Sequence, residues 1–529
     1  MASVNRILSP LYKARPWLPT FVVLLLSVAL WAAVGLGPYS GYNCTPEFGD
    51  FEAQRHWMEL TYYLPIDEWY MYKPQWWKLD YPPLTAYHSY VFGVIGTYLL
   101  PEAFELSTSE GIEGEYIKSY MRATVIVSQL LLFVPAVYSW CSMFNTNTPT
   151  KLNRTCSFLS VLLLPSLLLI DHGHFQFNSV MLGLFTSSLY YLMNSNFVFA
   201  SFYFVLTLFF KQMSLYYAPA IFAAILGSCI GPAVNFKFNF KRFLGVSVTV
   251  LGTAACLLYP FIFDIDQLLQ IFTRVFPVSR GLWEDKVSNF WCTLNYVGFK
   301  IHDHFEESQL PLLSLAATVI GIMPSMFAAF LGNKSVWPLC FASCSWSFYM
   351  FSFQVHEKSV LLPIFASALV ATQYYSNRNI NAMTRWAFNV SYFSLWPLLR
   401  REGLQLQFVI IYLIYNYLFF TGIPDHWFNK LVVFTSYLGF GVVFLLENSN
   451  LVSEAVRSRY PDLFVVGNML MSFVSLMYFW IWQNWIILCL SKSSFTPVPE
   501  KSSLPEKTTN TPKSKQSRNS NRRNKLKVE

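Results

Sequence analysis

Acidic and basic side chains cluster early in this chain, between two strongly apolar stretches. Residues 38–83 hold seven carboxylates and three basic side chains, although charged residues make up only 12% of the protein. Asp50 follows Gly49 at the start of the most regular part of this cluster. A carboxylate there could be a helix N-cap that accepts a backbone N–H, or a general base at the mouth of a cavity. Spacing alone favours the N-cap and leaves the base open.

The segment GDFEAQRHWMELTYYL, which contains Asp50, has the periodicity of an amphipathic helix. Its apolar residues recur at steps of three and four, and its charged residues fall on the opposite face. The apolar face holds Ala53, Trp57, Leu60 and Leu64, and the polar face holds Glu52, Arg55, His56 and Glu59. Such a helix is suited to lying in a membrane interface.

Two further stretches carry residue types with possible chemistry. In DHGHFQFNSV, the residues His172 and His174 follow an aspartate, and these types are common metal ligands. In LDYPP, the residues Asp80 and Tyr81 precede two prolines, which force an extended entry into a helix. A dense aromatic group lies just before them, suited either to a membrane-interface belt or to stacking on sugars or a polyprenyl chain: Trp69, Tyr70, Tyr72, Trp76 and Trp77.

The elements that position these residues must be membrane helices. Hydrophobic types make up 54% of the 529 residues, and the charged share is about half of the usual ~25%. A spanning helix needs roughly 20 mostly apolar residues. Fourteen runs approach that length: 17–37, 121–141, 156–170, 178–194, 197–210, 214–232, 243–262, 310–331, 336–353, 359–374, 386–399, 405–422, 428–446 and 464–489.

Charge in the loops predicts the orientation of these spans. Arg6, Lys13 and Arg15 precede the first run, so the N-terminus is predicted to be cytosolic. The basic loops at 233–242 and 375–385 become cytosolic only if the ambiguous run 84–103 does not cross. We therefore predict that this run is an interfacial or re-entrant helix. The motif-bearing loops then all lie on the non-cytosolic face.

The expected organisation has four parts. Residues 1–16 form a cytosolic N-terminus, and residues 17–374 form a catalytic transmembrane module with lumenal loops at 38–120 and 263–309. Residues 375–490 form further transmembrane helices. Residues 491–529 carry ten Lys or Arg and three Glu, which predicts a disordered, basic cytosolic tail. A nucleic-acid partner for this tail is the less favoured alternative.

The end of the tail also bears on location. Lys525 and Lys527 give the terminus a Lys-x-Lys-x-x pattern, which resembles a retrieval signal to the endoplasmic reticulum. The predicted location is therefore the endoplasmic reticulum membrane, with both termini cytosolic. The nine cysteines show no CxxC pair and read as small core residues.

Five motifs together resemble the lumenal glucosyltransferases of N-glycan assembly. They are GDFEAQRHW at 49–57, LDYPPLTAYHSY at 79–90, DHGHFQFNSV at 171–180, RVFPVSRGLWEDKVSNFWC at 274–292 and FQVHEKSVLLP at 353–363. The resemblance implies an all-α, polytopic GT-C fold with its active site at the lumenal membrane surface. It also implies transfer of the first glucose from dolichyl-phosphate-β-glucose to a nine-mannose, dolichyl-diphosphate-linked oligosaccharide. The sister transferase, which adds the second glucose, is the alternative.

The resemblance assigns roles to residues. Asp50 becomes the base that takes the proton from the acceptor hydroxyl in an inverting displacement. The departing phosphate is an anion, so it needs cationic partners. The candidates for these are Arg274, Arg280, Lys286, His356 and Lys358, and the candidate sugar contacts are Asp80, Tyr81, His172, His174, Gln176, Glu284 and Glu357.

Purely structural interpretations, without a role in the reaction, remain for several of these residues. Lys358 could snorkel at a helix end, and the basic residues of 274–286 could belong to an ordinary charged loop. The resemblance favours sugar contacts over a metal at His172 and His174, and it implies neither a cofactor nor a second subunit. A transporter is the rival from another class, but the paired internal repeats typical of transporters are not evident in the sequence.

Overall fold

The apolar runs fold into helices. The computed structural model describes residues 2–46, 48–144, 151–231, 237–277, 282–283, 286–419 and 422–493. Within these ranges there is no β-strand, and a single isolated bridge joins Trp283 to Val355. Arg280, Glu284 and the tail beyond residue 493, with its Lys525 and Lys527, lie outside the described residues.

The first half of the chain contributes twelve described α-helices. They are α1 (Ala2–Ala14), α2 (Leu18–Gly35), α3 (Asp50–Tyr63), α4 (Pro83–Leu99), α5 (Glu115–Ser128), α6 (Val134–Phe144), α7 (Lys151–Leu162), α8 (Pro165–Leu168), α9 (Asn178–Met193), α10 (Phe197–Phe210), α11 (Ala218–Ile230) and α12 (Phe240–Leu258). Wider π-helical turns at Gln129–Phe133 and Leu169–Phe175 continue α5 and α8.

The second half contributes eleven more within the described ranges. They are α13 (Ile265–Val275), α14 (Phe290–Tyr296), α15 (Leu310–Phe330), α16 (Trp337–Phe351), α17 (Leu361–Gln373), α18 (Arg378–Ser394), α19 (Trp396–Arg401), α20 (Gln405–Phe419), α21 (Trp427–Glu447), α22 (Glu454–Arg459) and α23 (Leu463–Ser493). Short 3₁₀ turns at Gln212–Tyr217 and Glu357–Val360 lead into α11 and α17.

Seven helical segments in the described part of the chain are long and apolar enough to cross a membrane. A bent pair, Leu152–Leu162 with Pro165–Phe175, raises this number to eight if it counts as one span. The predicted fourteen spans are therefore not confirmed. The physical reason is length: α10 has 14 residues and α17 has 13, which at 1.5 Å per residue gives only about 20 Å.

Helix α4 is the ambiguous run of the sequence. It begins at Pro83, in the first helical turn as predicted, and its 17 residues do not place it among the candidate spans. The side of the membrane on which it lies, and hence the orientation of every later loop, remains a prediction.

Burial separates central helices from those at the periphery. Nearly every residue of α16 and α17 is buried, as expected for helices that are apolar all round. In contrast, α12 has no buried residue, and Leu251 on it is 70% exposed. An apolar helix with an open apolar surface is stable in lipid, so we expect α12 to face the bilayer.

Helix α3 departs from the sequence prediction. The helix itself is confirmed, but its polar face is buried along with its apolar face, so it is not an interfacial helix with a solvated side. The Arg55 guanidinium is fully buried and lies 2.5 Å from a Glu52 carboxylate oxygen and 2.6 Å from a Glu59 one. It also donates to the Ala103 carbonyl and the Ser109 hydroxyl, both at 2.8 Å. The arginine and the two carboxylates neutralise one another, and their hydrogen bonds take the place of those that water would make.

This ion-pair cluster predicts a large stability effect. Arg55→Met removes the cation and leaves two buried carboxylates without their main partner, which we expect to lower the free energy of unfolding by about 3–5 kcal/mol. Thermal unfolding of the purified protein in detergent measures the effect. The control is Lys78→Met, since Lys78 is exposed. Equal unfolding midpoints for the two variants would contradict the proposed role of Arg55.

Candidate active site

Asp50 is the first residue of α3, and the N-cap position belongs to Gly49. Glycine has no side chain with which to cap the helix, and the N-cap role considered for Asp50 is therefore not the one that the structure shows. A Cβ on Gly49 would lie 2.5 Å from the Ser40 carbonyl oxygen, so only glycine allows the two segments to approach this closely. The Asp50 backbone N–H donates to the Ser40 hydroxyl at 3.3 Å. The carboxylate is therefore free to face the site.

One oxygen of the Asp50 carboxylate accepts three hydrogen bonds from distant parts of the chain. Lys358 Nζ lies 2.6 Å from Asp50 Oδ2, and His174 Nε2 lies 2.8 Å from it. The Gln176 side-chain amide donates to the same oxygen. The structure thus brings together residues from three of the five motifs around one carboxylate.

The charges at this point fix the ionisation of the pair. Burial alone would raise the pKa of Asp50, but the Lys358 ammonium, and after it His174, hold that pKa well below its usual range. Burial alone would lower the pKa of Lys358, and the Asp50 carboxylate raises it instead. Asp50 is therefore a carboxylate, and Lys358 an ammonium, throughout the neutral pH range.

His174 is held in place from the C-terminal part of the chain. Its Nδ1 lies 2.6 Å from a Glu402 carboxylate oxygen, while its Nε2 faces Asp50. Glu402 follows α19, in the third of the sequence that carries no recognised motif, and sequence reasoning missed it. A carboxylate on one ring nitrogen orients the ring and determines what the other nitrogen presents.

The π-helical turn Leu169–Phe175 turns its two histidines to different partners. His172 Nε2 lies 2.6 Å from the Gln129 amide oxygen, and the His172 ring stacks on Trp31. His174, in contrast, points to Asp50. Among the residues that the structure describes, no group of three His, Cys, Asp or Glu side chains could hold a metal ion.

Lys211 is a second residue that sequence reasoning missed. Its ammonium is buried and donates to the side-chain oxygens of Gln176 and Asn178, each at 2.7 Å. It also lies 4.8 Å from the centre of the Tyr81 ring. Burial lowers the pKa of Lys211 to about 8. The signal available in the sequence was a single lysine directly after the apolar run FVFASFYFVLTLFF. An ionisable residue beside a membrane segment often has a functional role.

The LDYPP motif reaches the site through Lys211. The Asp80 carboxylate favours the charged forms of Lys211 and of Arg274, which raises the pKa of each against the stronger, opposite effect of burial. The Tyr81 carbonyl accepts from the Tyr70 hydroxyl at 2.7 Å. Asp80 and Tyr81 therefore lie beside the network that contains Gln176.

Two of the other cations predicted to bind the phosphate, Arg274 and Lys286, have contacts outside the Asp50 network. Arg274 is buried and donates to the Tyr72 carbonyl at 2.5 Å, so it supports the aromatic segment. Lys286 pairs with Asp462 at 2.9 Å, on the approach to α23. Neither of these two contacts involves Asp50, and donor-phosphate binding by Arg274 and Lys286 remains a prediction.

The residues around Lys358 form the start of α17. His356 is half-buried, and its carbonyl accepts from the Ser359 backbone at 3.0 Å. Glu357 lies 3.4 Å from the Arg401 guanidinium, next to Glu402. The Lys358 side chain is only partly exposed, and its ammonium turns to the Asp50 carboxylate at 2.6 Å, so the structure does not show it snorkelling into solvent.

The fold and the site together thus define a helical membrane protein. Its site is charged, partly buried and lies at the ends of its spans. A family model described as the ALG6, ALG8 glycosyltransferase family matches residues 21–483. The chain belongs to this family of polytopic membrane glycosyltransferases.

Three of its relatives match over almost their full length. A protein of Schizosaccharomyces pombe, named probable dolichyl pyrophosphate Man9GlcNAc2 alpha-1,3-glucosyltransferase, is 44% identical over 91% of this chain and 94% of its own. The dolichyl pyrophosphate Man9GlcNAc2 alpha-1,3-glucosyltransferase of Saccharomyces cerevisiae is 39% identical over 92% of this chain and 95% of its own. The protein of that name from Gallus gallus is 36% identical over 90% and 98%.

Proposed function

We propose that this protein transfers glucose from dolichyl-phosphate-β-glucose to the terminal mannose of Man9GlcNAc2 on dolichyl diphosphate, in α-1,3 linkage. The acceptor and the linkage are those in the names of the relatives. The observation that carries the proposal is the Asp50 carboxylate, which is ionised and 2.6 Å from the Lys358 ammonium. A base and a phosphate partner are the two groups that this reaction requires.

In the proposed reaction, the acceptor hydroxyl attacks the anomeric carbon while Asp50 takes its proton. The new bond joins that oxygen to the anomeric carbon, and the bond from this carbon to the phosphate oxygen breaks. The configuration inverts because attack and departure occur on opposite faces of the sugar. Dolichyl phosphate leaves as an anion and requires no proton, but its charge requires a cation.

Lys358 would serve both groups in turn. Without a substrate, its ammonium pairs with Asp50 and holds the Asp50 pKa low, which makes the carboxylate a weak base. A donor phosphate beside Lys358 would attract the ammonium and lessen its effect on Asp50. The pKa of Asp50 would then rise, so donor binding would increase the basicity of Asp50 just before the proton transfer.

The other site residues have positioning roles in this proposal. His174, held by Glu402, and Gln176, held by Lys211, keep the Asp50 carboxylate in one orientation. Asp80 and Tyr81 would contact the sugars next to this network. Two sets of roles remain predictions: donor contacts by Arg274, Arg280, Lys286 and His356, and sugar contacts by His172, Glu284 and Glu357.

The proposed location follows from the donor and from the sequence. We place the site on the lumenal face of the endoplasmic reticulum membrane, with both termini in the cytosol, and with the four-part organisation given above. The protein is proposed to act as a monomer, without a cofactor or a metal. The lipid-phosphate donor has a single phosphate and so has no diphosphate that a divalent ion would bridge.

The purified protein tests the proposal directly. We expect it to convert dolichyl-phosphate-glucose and Man9GlcNAc2-diphosphate-dolichol to a mono-glucosylated product, at the same rate with and without excess EDTA. Use of a mono-glucosylated acceptor instead would identify the protein as the second-glucose transferase. Absence of any glucosylated product would contradict the proposed reaction. Loss of activity in EDTA that a divalent ion restores would contradict the metal-free mechanism.

A further inference from the structure

A second polar site lies on α3, away from Asp50. It is a cavity of about 220 Å³, enclosed between the helix and the aromatic segment that precedes the LDYPP motif. Six of its lining residues define its chemistry: Glu52, His56, Glu59, Tyr72, Trp76 and Trp77. A water molecule occupies roughly 30 Å³, so the cavity can admit a ligand of several heavy atoms.

His56 offers this cavity an unused polar atom. Its Nδ1 lies 2.6 Å from a Glu59 carboxylate oxygen, so this nitrogen carries the hydrogen. Its Nε2 is buried and finds no hydrogen-bond partner among the residues that the structure describes, and the residue as a whole is only 9% exposed. A buried polar atom without a partner is costly, and a ligand hydroxyl that donates to Nε2 would remove that cost.

Charges determine the class of ligand. Arg55 does not line the cavity and bonds to both Glu52 and Glu59, so these two carboxylates outnumber the one arginine that they share. Lys73 and Glu110 also line the cavity and offset each other. Phosphate is therefore disfavoured, while a neutral polyhydroxyl compound can donate to the carboxylates and to His56.

The aromatic wall is held rigidly. The Trp77 carbonyl accepts from the Trp57 indole at 2.9 Å, and the Tyr72 carbonyl accepts from Arg274 at 2.5 Å. The backbone of Trp77 has φ = 54°, a conformation that residues other than glycine rarely adopt. Aromatic rings beside carboxylates suit a pyranose ring, which has an apolar C–H face and polar hydroxyl edges.

Helix geometry separates this cavity from the reacting centre. Glu52, His56 and Glu59 share one face of α3, and Asp50 lies about 200° around the helix from Glu52, at 100° per residue. A helix with its side chains is about 10 Å across. One sugar ring therefore cannot occupy the cavity and reach Asp50 at the same time.

We infer that the cavity formed by α3 and the Tyr72–Trp77 segment binds a neutral mannose unit of the acceptor oligosaccharide, one that is remote from the hydroxyl that receives glucose. This inference rests on the proposed function, because that function supplies a large, branched, uncharged acceptor. The remote site would distinguish a complete oligosaccharide from a truncated one and would lower the KM of the acceptor.

His56→Asn tests the site while retaining the local structure. The asparagine amide can donate to Glu59 as Nδ1 does, but it lacks an atom at the position of Nε2. We expect the acceptor KM to rise about tenfold, with little change in kcat or in the donor KM. Trp76→Ala, on the half-exposed wall, should give a similar rise and serves if His56→Asn does not fold. The control is Trp427→Ala, since Trp427 is 68% exposed and far from the cavity in sequence.

A binding measurement separates this inference from the proposed function. Free Man9GlcNAc2 is titrated into the detergent-solubilised full chain without donor, by calorimetry. We expect the original protein and Trp427→Ala to bind it, and His56→Asn to bind it about tenfold more weakly. Equal binding by His56→Asn and the original protein, or no binding at all, would overturn the sugar site. Binding without glucose transfer would instead support the site and refute the proposed reaction.

Discussion

Asp50→Asn is expected to reduce glucose transfer by roughly 10²- to 10⁴-fold, the usual contribution of a general base. The amide has nearly the same shape as the carboxylate but cannot take a proton. It can still contact Lys358 and His174, so the folded structure should persist. Initial rates with saturating donor and acceptor measure the effect, and size-exclusion elution and thermal unfolding report on the fold.

The matched control for this substitution is Asp67→Asn. Asp67 lies in the same loop region but is exposed, so its loss should leave the rate unchanged. Retention of more than about a tenth of the activity in folded Asp50→Asn would remove Asp50 from the role of base. The tests of Lys358 and of the proposed sugar cavity would remain valid in that case, because they address other groups.

Lys358→Gln is expected to have the second-largest effect. It removes the cation proposed for the departing phosphate, so we expect a loss of roughly 100-fold in transfer rate together with a higher donor KM. The pH dependence should change as well. Without the Lys358 charge the pKa of Asp50 rises, so the carboxylate is protonated at a higher pH during acidification. The acidic limb of the rate profile should therefore move to higher pH than in the original protein.

Two further variants test whether the positive charge of Lys358 causes these effects. Lys358→Arg retains the positive charge and should recover part of the rate and return the acidic limb towards its original pH. Lys300→Gln removes an exposed lysine and should change neither quantity. A Lys358→Gln profile with an unmoved acidic limb would show that Lys358 does not control the ionisation of the base. A normal donor KM would show that Lys358 does not contact the phosphate.

The sequence anticipated the chemical groups of the site better than their partners. Asp50, His174, Gln176 and Lys358 were all expected, and the structure joins them. Arg274 and Lys286 were expected beside the phosphate, which remains a prediction, and the structure shows them bonded to Tyr72 and Asp462. Residue type shows that a cation is present, but a lysine's or arginine's long side chain can reach several partners, and only the packing of neighbouring elements selects one.

The two residues that the sequence analysis missed also show that partners in space are not readable from the sequence. Lys211 and Glu402 lie outside the recognised motifs, and each contacts a motif residue that is more than thirty positions away. Periodicity and propensity describe the order of residues along one helix. Neither contains the crossing of separate helices, which brings residue 402 within hydrogen-bond distance of residue 174.

The sequence by itself determined the helical membrane class, because the low charge and the long apolar runs permit no other solvent than lipid. It also predicted that Asp50 follows Gly49 at the start of this helix, although it favoured an N-cap role that the structure gives to Gly49. Only the tertiary structure decided the burial of the polar face of α3, the pairing of Asp50 with Lys358 and the cavity at His56. These features depend on which helix ends meet in space, and such meetings follow from packing among all helices at once, which no local pattern records.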